Sequence, residues 1–291
     1  MDATKKPSRG VYFLANNKVY ELAVAFLNSF RTHNRELDLC LIPYDQDVDR
    51  IIALKDTYAF SVFQDDHLLA SCDAISEKFH GKRLGAYRKF VAWEGTFDEF
   101  IYIDLDTVVL DSVDFAYENL HRCDIYTSHS NIEAIRQWVW KDSIYEKNIL
   151  APEQIAFAAN TGFFVSTRHL LNMGQIEAKV DAGLRLKDDM ELKCMEQPFL
   201  NYLIVTSGHR YGSLLTFLVS GADPTVKLEM WAGNPGCIVG DGKLHMPNFP
   251  PIFLLHWAGI WQSDNGSLSE IPYKKLWDHY RNLSLSADVS S

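Results

Sequence analysis

Cysteine is scarce and scattered: Cys40, Cys72, Cys123, Cys194 and Cys237 are odd in number and never form a C-x-x-C pair. That usage excludes a disulfide framework and a zinc ribbon, and it suits a reducing compartment. Positive charge is also in deficit, with 28 Lys+Arg against 38 Asp+Glu for a net charge of −10. So acidic a chain lacks the basic field that nonspecific DNA or RNA binding requires, and it has no simple attraction to anionic lipid. Long apolar runs are missing as well. The stretch from Pro250 to Ile260 is interrupted by His256 and is far shorter than the ~20 residues that cross a bilayer. Met1 to Arg9 contains no apolar core of a signal peptide. A cytoplasmic protein with no transmembrane segment and no nucleic-acid partner is expected. Repeats, low-complexity blocks and Pro/Gly/Ser linkers are absent too, so one domain is expected over residues 1–291.

With 47% hydrophobic residues in 291, the chain can bury a sizeable core without disulfide or metal staples. Val11 to Ala15 reads as a short buried strand, and apolar residues then recur at Tyr20, Ala23, Val24, Leu27 and Phe30 with helical spacing. The alternation continues with a strand at Leu37 to Ile42, a helix at Val48 to Tyr58, a strand at Phe60 to Phe63 and helices at His67 to Phe79 and Ala86 to Glu94. Phe100 to Ile103 is a strongly apolar strand. Alternating strands and helices predict an α/β fold, a mostly parallel sheet covered on both faces. Beyond Asp114 the pattern predicts strands at Cys123 to Ser128, Phe163 to Ser166, Leu214 to Val219 and Ile252 to Leu255. Helices are predicted at Asn131 to Lys147, His169 to Leu184, Gln197 to Thr206 and Tyr273 to Leu283, with a frayed tail from Ser284. In such a sheet ligands bind beyond the carboxyl ends of the strands, so Ala15-Asn16-Asn17, Tyr44-Asp45-Gln46 and Asp104-Leu105-Asp106 should share one rim.

The most informative of these loops is the last. Asp104 and Asp106 are separated by one residue at the end of a buried strand, where carboxylates are costly unless paired or bound to metal. Two residues apart on a strand, they would point the same way and present oxygens to one hard cation such as Mg²⁺ or Mn²⁺. The spacing alone is weak, because Asp45-Gln46-Asp47 and Asp47-Val48-Asp49 repeat it. A strand-end turn in which the aspartates cap backbone N–H groups is the plainer alternative.

The segment Tyr102-Ile103-Asp104-Leu105-Asp106-Thr107-Val108-Val109-Leu110 resembles the D-x-D strand of GT-A fold glycosyltransferases, especially the glycogenin-like retaining group. Other pieces resemble that group in the same order: Arg88 to Trp93, Asn160-Thr161-Gly162, Glu196 to Asn201, and His256-Trp257-Ala258-Gly259. The opening Leu14 to Phe30 also matches, so the likeness spans residues 10 to about 262. It implies a GT-A, Rossmann-like sheet, with a nucleotide-sugar-binding half at 10–110 and an acceptor and metal-completing half at 111–283. It implies Mn²⁺ or Mg²⁺ held by Asp104, Asp106 and His256. Ala15, Asn16, Tyr44, Lys89, Asp104 and Gly259 would meet the donor, and Asn160, Glu196 and Gln197 would act on the sugars. The implied activity is transfer of a sugar, with retention, from a nucleoside-diphosphate donor, UDP-linked by analogy, to a sugar, lipid or protein acceptor.

Plainer roles exist for each residue. His256 could be a satisfied core histidine, Lys89 and Arg88 a solvated pair, and Glu196 a helix-start acid favoured by the dipole. Arg88 is the weaker donor ligand. Exposed rings at Trp138, Trp231 or Trp261 could stack on sugars, although tryptophans are more often core. The group also places a lysine after H-x-x-G, whereas this chain has Ile260-Trp261-Gln262-Ser263. A rival class is the haloacid-dehalogenase-type phosphatase, whose D-x-D-x-T opening Asp104 to Ser112 resembles, with Asp104 as nucleophile and Asp188-Asp189 as the late acids. Its motif belongs on a first strand, however, and here about a hundred residues precede it. A non-catalytic sugar-nucleotide-binding module is the third possibility.

Overall fold

The computed structural model describes residues 6–234, 238–240, 243–245, 249–260 and 271–284. Strand β1 (Arg9–Ala15) runs parallel to β2 (Asp38–Pro43) on one side and β4 (Glu99–Ile103) on the other. Beyond β2 lies β3 (Phe60–Val62). Beyond β4 come β7 (Phe163–Thr167), β6 (Ile125–Thr127) and β8 (Tyr211–Ser213), giving the order β3-β2-β1-β4-β7-β6-β8. Only β7 is reversed, antiparallel to both β4 and β6. The result is the expected α/β architecture with a mixed, mostly parallel sheet. A second sheet, β5-β12-β9, is made of β5 (Thr107–Val109), β12 (Ile252–His256) and β9 (Leu228–Trp231). Strands β10 (Ile238–Gly240) and β11 (Lys243–His245) form a small hairpin.

Alternation along the strands builds two cores. Tyr12, Tyr102 and Phe164 face helices Asp66–His80, Met173–Leu184 and Gln197–Thr206, with Trp93 and Phe164 stacked at 5.1 Å. Val11, Phe13, Ile101 and Ile103 face the helix Tyr20–His33 on the other side. A third cluster packs β5, β9 and β12 against the helix Lys274–Arg281.

Several sequence expectations need correction. The predicted strand at Leu214 to Val219 is a helix, because Ser213 and Thr216 form a reciprocal capping box (Thr216 N to Ser213 Oγ 3.2 Å, Ser213 N to Thr216 Oγ1 2.9 Å). Short apolar runs do not distinguish the two states by periodicity. The single helix predicted over Asn131 to Lys147 is two one-turn pieces, Glu133–Arg136 and Ile144–Lys147. Trp140, between them, is buried and bridges to Met190. Val48 to Tyr58 likewise divides into Asp49–Ile52 and Lys55–Tyr58, and Gly85–Glu94 is a 3₁₀ segment. The helix predicted from His169 starts at Met173, where Asn172 accepts from Gln175 N. The four described cysteines are unbridged thiols, and no described helix is long and apolar enough to cross a membrane. Trp261, Gln262, Ser263 and residues 285–291 lie outside the described residues.

Candidate active site

Asp104 and Asp106 occupy the crossing from one sheet to the other. The backbone N–H of Asp104 extends the β4–β7 pairing by donating to Gly162 O (2.7 Å), and Thr107 Oγ1 donates back to Asp104 O (2.8 Å). Beyond them β5 pairs antiparallel with β12, placing His256 opposite Thr107. The main chain closes the corner where Trp257 N–H donates to Asp106 O at 2.9 Å. Residues about 150 apart in sequence thus converge: Asp104, Asp106 and His256 offer ligand atoms that all lie within 4.8 Å of one another. His256 Nε2 is 3.1 Å from Asp106 Oδ1.

The surroundings are rich in acid. His256 Nδ1 lies 2.6 Å from Glu229 Oε1, and Asn160 Nδ2 donates to the same oxygen at 3.4 Å. Glu229 is 3% exposed, and its second oxygen has no partner among the described residues. Burial works against charge on His256, but Asp106 and Glu229 outweigh it and hold the imidazole pKa well above its ordinary value. For Asp106, burial is overridden in turn by His256, so its carboxyl is held below the usual range. Lys89 is buried, with Nζ 2.5 Å from Glu196 Oε1 and 3.3 Å from Asp104 Oδ1. Its ammonium stays charged because these two acids outweigh burial, while burial pushes the Glu196 carboxyl up against the opposing pull of Lys89. Tyr102 OH also donates to Asp104 Oδ1 at 2.8 Å. Four carboxylates therefore gather against Lys89 and His256. With His256 bonded to Glu229 through Nδ1, Nε2 is directed at the aspartates, an arrangement that fits a hard divalent cation.

Gly162 is required by this packing. A Cβ there would lie 2.4 Å from His256 Cε1 and 2.9 Å from Asp104 Oδ2. Asn160 Oδ1 accepts from Gly162 N (2.8 Å), so the turn before β7 directs the amide toward Glu229. Gln197 is fixed at both ends of its amide: Oε1 accepts from Thr161 N (3.2 Å), and Nε2 donates to Trp138 O (3.0 Å). Glu196 stands at the helix N-cap without capping it, because its carboxylate is turned inward to Lys89. Met195 before it has φ +52, a positive value that a non-glycine residue adopts at a cost and that is often found at functional sites.

The remaining sequence candidates fall on the same rim or are tied down elsewhere. Ala15 and Asn16 lie at the carboxyl end of β1. Tyr44 follows β2, its N–H donating to Ala15 O (2.8 Å), and Asn16 Nδ2 donates to Asp45 Oδ2 (2.7 Å). A cavity of about 350 Å³ opens beside them, lined by Tyr44, Asp45, Gly85, Arg83 and Arg88. Arg88 itself is paired to Asp73 (2.6 Å), and Gly259 turns with φ +74 just after the metal histidine candidate. The rival acid is not delivered to Asp104: Asp189 accepts from Ser143 Oγ (2.7 Å) and faces Lys147. Sequence reasoning missed Glu229 and Tyr102. Glu229 had a usable signal, an acid among the apolar residues Leu228 and Met230.

No family model matches the chain, and no curated protein does. Solved structures do. The WbbM bifunctional glycosyltransferase superposes with a TM-score of 0.57 at 13% identity, over 98% of this chain and 51% of that one. The glycosyltransferase GlyE of Streptococcus pneumoniae TIGR4 gives 0.54 at 11% identity, over 96% and 61%. The galactosyltransferase LgtC, crystallised with donor and acceptor sugar analogs, gives 0.57 at 11% identity, over 94% and 95%. The chain thus spans about half of WbbM and three-fifths of GlyE but nearly all of LgtC. At such low identity the likeness concerns architecture: this chain has an α/β fold of the GT-A type, with the Asp104, Asp106 and His256 cluster where its two sheets meet.

Proposed function

We propose that the protein is a metal-dependent glycosyltransferase that moves a sugar from a nucleoside-diphosphate donor, UDP-linked, to a sugar, lipid or protein acceptor with retention of configuration. One observation carries the reading: Asp104, Asp106 and His256 bring ligand atoms within 4.8 Å of one another, two carboxylates and an imidazole that suit a divalent cation. On this reading Asp104, Asp106 and His256 hold Mn²⁺ or Mg²⁺. A divalent cation bound there supplies neutralising charge to a departing diphosphate. Residues 10–110 receive the nucleoside along the rim of Ala15, Asn16 and Tyr44, with Gly259 admitting the diphosphate, and residues 111–283 complete the metal set and receive the acceptor.

The chain's own side chains then have distinct tasks. Lys89 pairs with both Asp104 and Glu196 and supplies the positive partner that a buried carboxylate such as Glu196 needs. Asn160 and Glu196 offer hydrogen bonds that match sugar hydroxyls. Gln197, clamped between Thr161 and Trp138, presents its amide beside the reacting carbon without rotating. On this reading none of the described carboxylates is assigned as a nucleophile, and orientation and leaving-group stabilisation carry the rate. The test is thermal stabilisation by nucleoside diphosphates with and without Mn²⁺, followed by donor-hydrolysis assays. UDP should stabilise the fold in a Mn²⁺-dependent manner, and Asp106→Asn should abolish the effect. If no nucleoside diphosphate stabilises the protein with metal present, the reading fails. p-Nitrophenyl phosphate hydrolysis lost in Asp104→Asn would favour the phosphatase, and metal-supported UDP binding without turnover on any donor would favour a binding module.

A further inference from the structure

Trp231 is a large apolar side chain left 49% exposed, yet its ring is held firmly. Its Nε1–H donates to Ala258 O (3.1 Å), in the turn just after His256. The ring lies over Gly233, where an added Cβ would fall 2.3 Å from Cη2. One indole face is therefore packed and its edge is fastened, so the orientation is set before any ligand arrives. Strand alternation places Trp231 on the face of β9 that also carries Glu229, two residues back. In register, Trp231 pairs with His256.

The ring also has a definite side. Strand β9 adjoins the end of β6, where Glu229 N–H donates to Ser128 Oγ (3.1 Å), whereas Ala15, Asn16 and Tyr44 lie across the aspartates on the β1–β2 side. A donor nucleoside on that rim leaves Trp231 facing the second substrate. We infer that this substrate is a saccharide, one pyranose ring of which lies on the Trp231 indole. The inference rests on the transferase reading and deepens it. A sugar's C–H face stacks on an aromatic ring while its hydroxyls require polar partners. Both are present at this end of β9: the indole, and the half-buried Asn160 amide, which donates to Glu229, two residues before Trp231. A lipid tail would find the Asn160 amide and the partly exposed Asp104 and Asp106 on this side instead of an apolar wall, and a bare peptide hydroxyl would leave the ring uncovered.

The experiment uses the full chain with UDP and Mn²⁺ and titrates methyl α- and β-hexopyranosides, lactose and maltose by calorimetry and saturation-transfer NMR. At least one should bind the wild type. Trp231→Ala should weaken that binding about ten-fold, and Trp231→Phe should recover most of it. In transfer assays the acceptor KM of Trp231→Ala should rise by the same factor, with the donor KM much less affected. Saccharide binding unchanged in Trp231→Ala overturns the inference, as does a donor KM that rises as far as the acceptor KM. So does sedimentation with phosphatidylcholine vesicles that depends on Trp231 when no saccharide binds. Saccharide binding is read directly, so failure of UDP to stabilise the protein would sink the transferase reading while leaving this result interpretable.

Discussion

Gly162 shows how one absent side chain holds a site together. The space its Cβ would fill is taken by His256 Cε1 and Asp104 Oδ2, so Gly162→Ala must push the ligands apart. We expect a loss of about 1–3 kcal/mol in stability, typical of overpacking, together with loss of Mn²⁺-dependent stabilisation; thermal melts with and without Mn²⁺ measure both. Glu229 acts differently, by fixing which nitrogen of His256 faces the aspartates. Glu229→Ala should weaken Mn²⁺ binding by about 10–100-fold in calorimetric titration. Glu229→Gln keeps an acceptor for Nδ1–H and should recover part of it. At this scale sequence reading succeeded where residues stood out chemically. Asp104 and Asp106 closed an apolar strand, and His256 interrupted an apolar run. Glu229 did so too, but in a strand of only four residues, too short for its pattern to register. Tyr102 gave no signal, because a tyrosine in a strand needs no explanation until its hydroxyl is seen on Asp104.

Among the contacts that join the helix Asp66–His80 to the 3₁₀ segment that carries Lys89, which include the stacked rings of Phe79 and Tyr87, two polar pairs matter here. Arg88 meets Asp73 in a pair with side chains about a tenth exposed, so Arg88→Ala leaves a largely buried carboxylate unpaired. The expected cost is about 3 kcal/mol or more, read from urea unfolding, and Lys89 should lose its alignment with Asp104. The second contact is His80 Nε2 with Tyr87 OH at 3.1 Å. Burial, helped by Lys187 and Lys82, holds the His80 imidazole below its ordinary pKa of 6.5 despite a hydrogen bond to the Met195 backbone. The unfolded chain therefore takes up the proton first as pH falls. The stabilisation is complete above the unfolded value and is lost as pH falls below about 6.5 toward the folded pKa. The melting-temperature difference between wild type and His80→Asn should accordingly rise from pH 5 to pH 7.5. Elements were legible where periodicity ran long, as in Tyr20–His33 and Gln197–Thr206. They were lost where tertiary pairing intervened, as at Trp140, or where a local cap decided between two states, as at Ser213.

For the molecule as a whole, sequence pattern disclosed the large sheet and its rim, since β1, β2 and β4 are each followed by their own helix or loop. The second sheet was not legible. Its strands β5, β9 and β12 are short and come from residues 107–109, 228–231 and 252–256, so nothing nearby in the chain announces their pairing. The acidic balance of −10 acquires a local meaning from that sheet, because its excess carboxylates include those around His256. The β5–β12 pairing also bears on assembly during folding. Loop closure across some 150 residues is slow to be rewarded, so the cation site comes into being only after nearly the whole chain has collapsed. A bound ion would then act as a late latch, stabilising by about 2.7 kcal/mol at a hundred times its Kd. Native-state hydrogen exchange would reveal it: Mn²⁺ should slow the amides of Leu254 to Trp257 and those of β5 far more than the amides of β1 and β2. A chain interrupted before β12 would keep both aspartates and still be unable to grip the metal, so competence is withheld until the polypeptide is complete through His256.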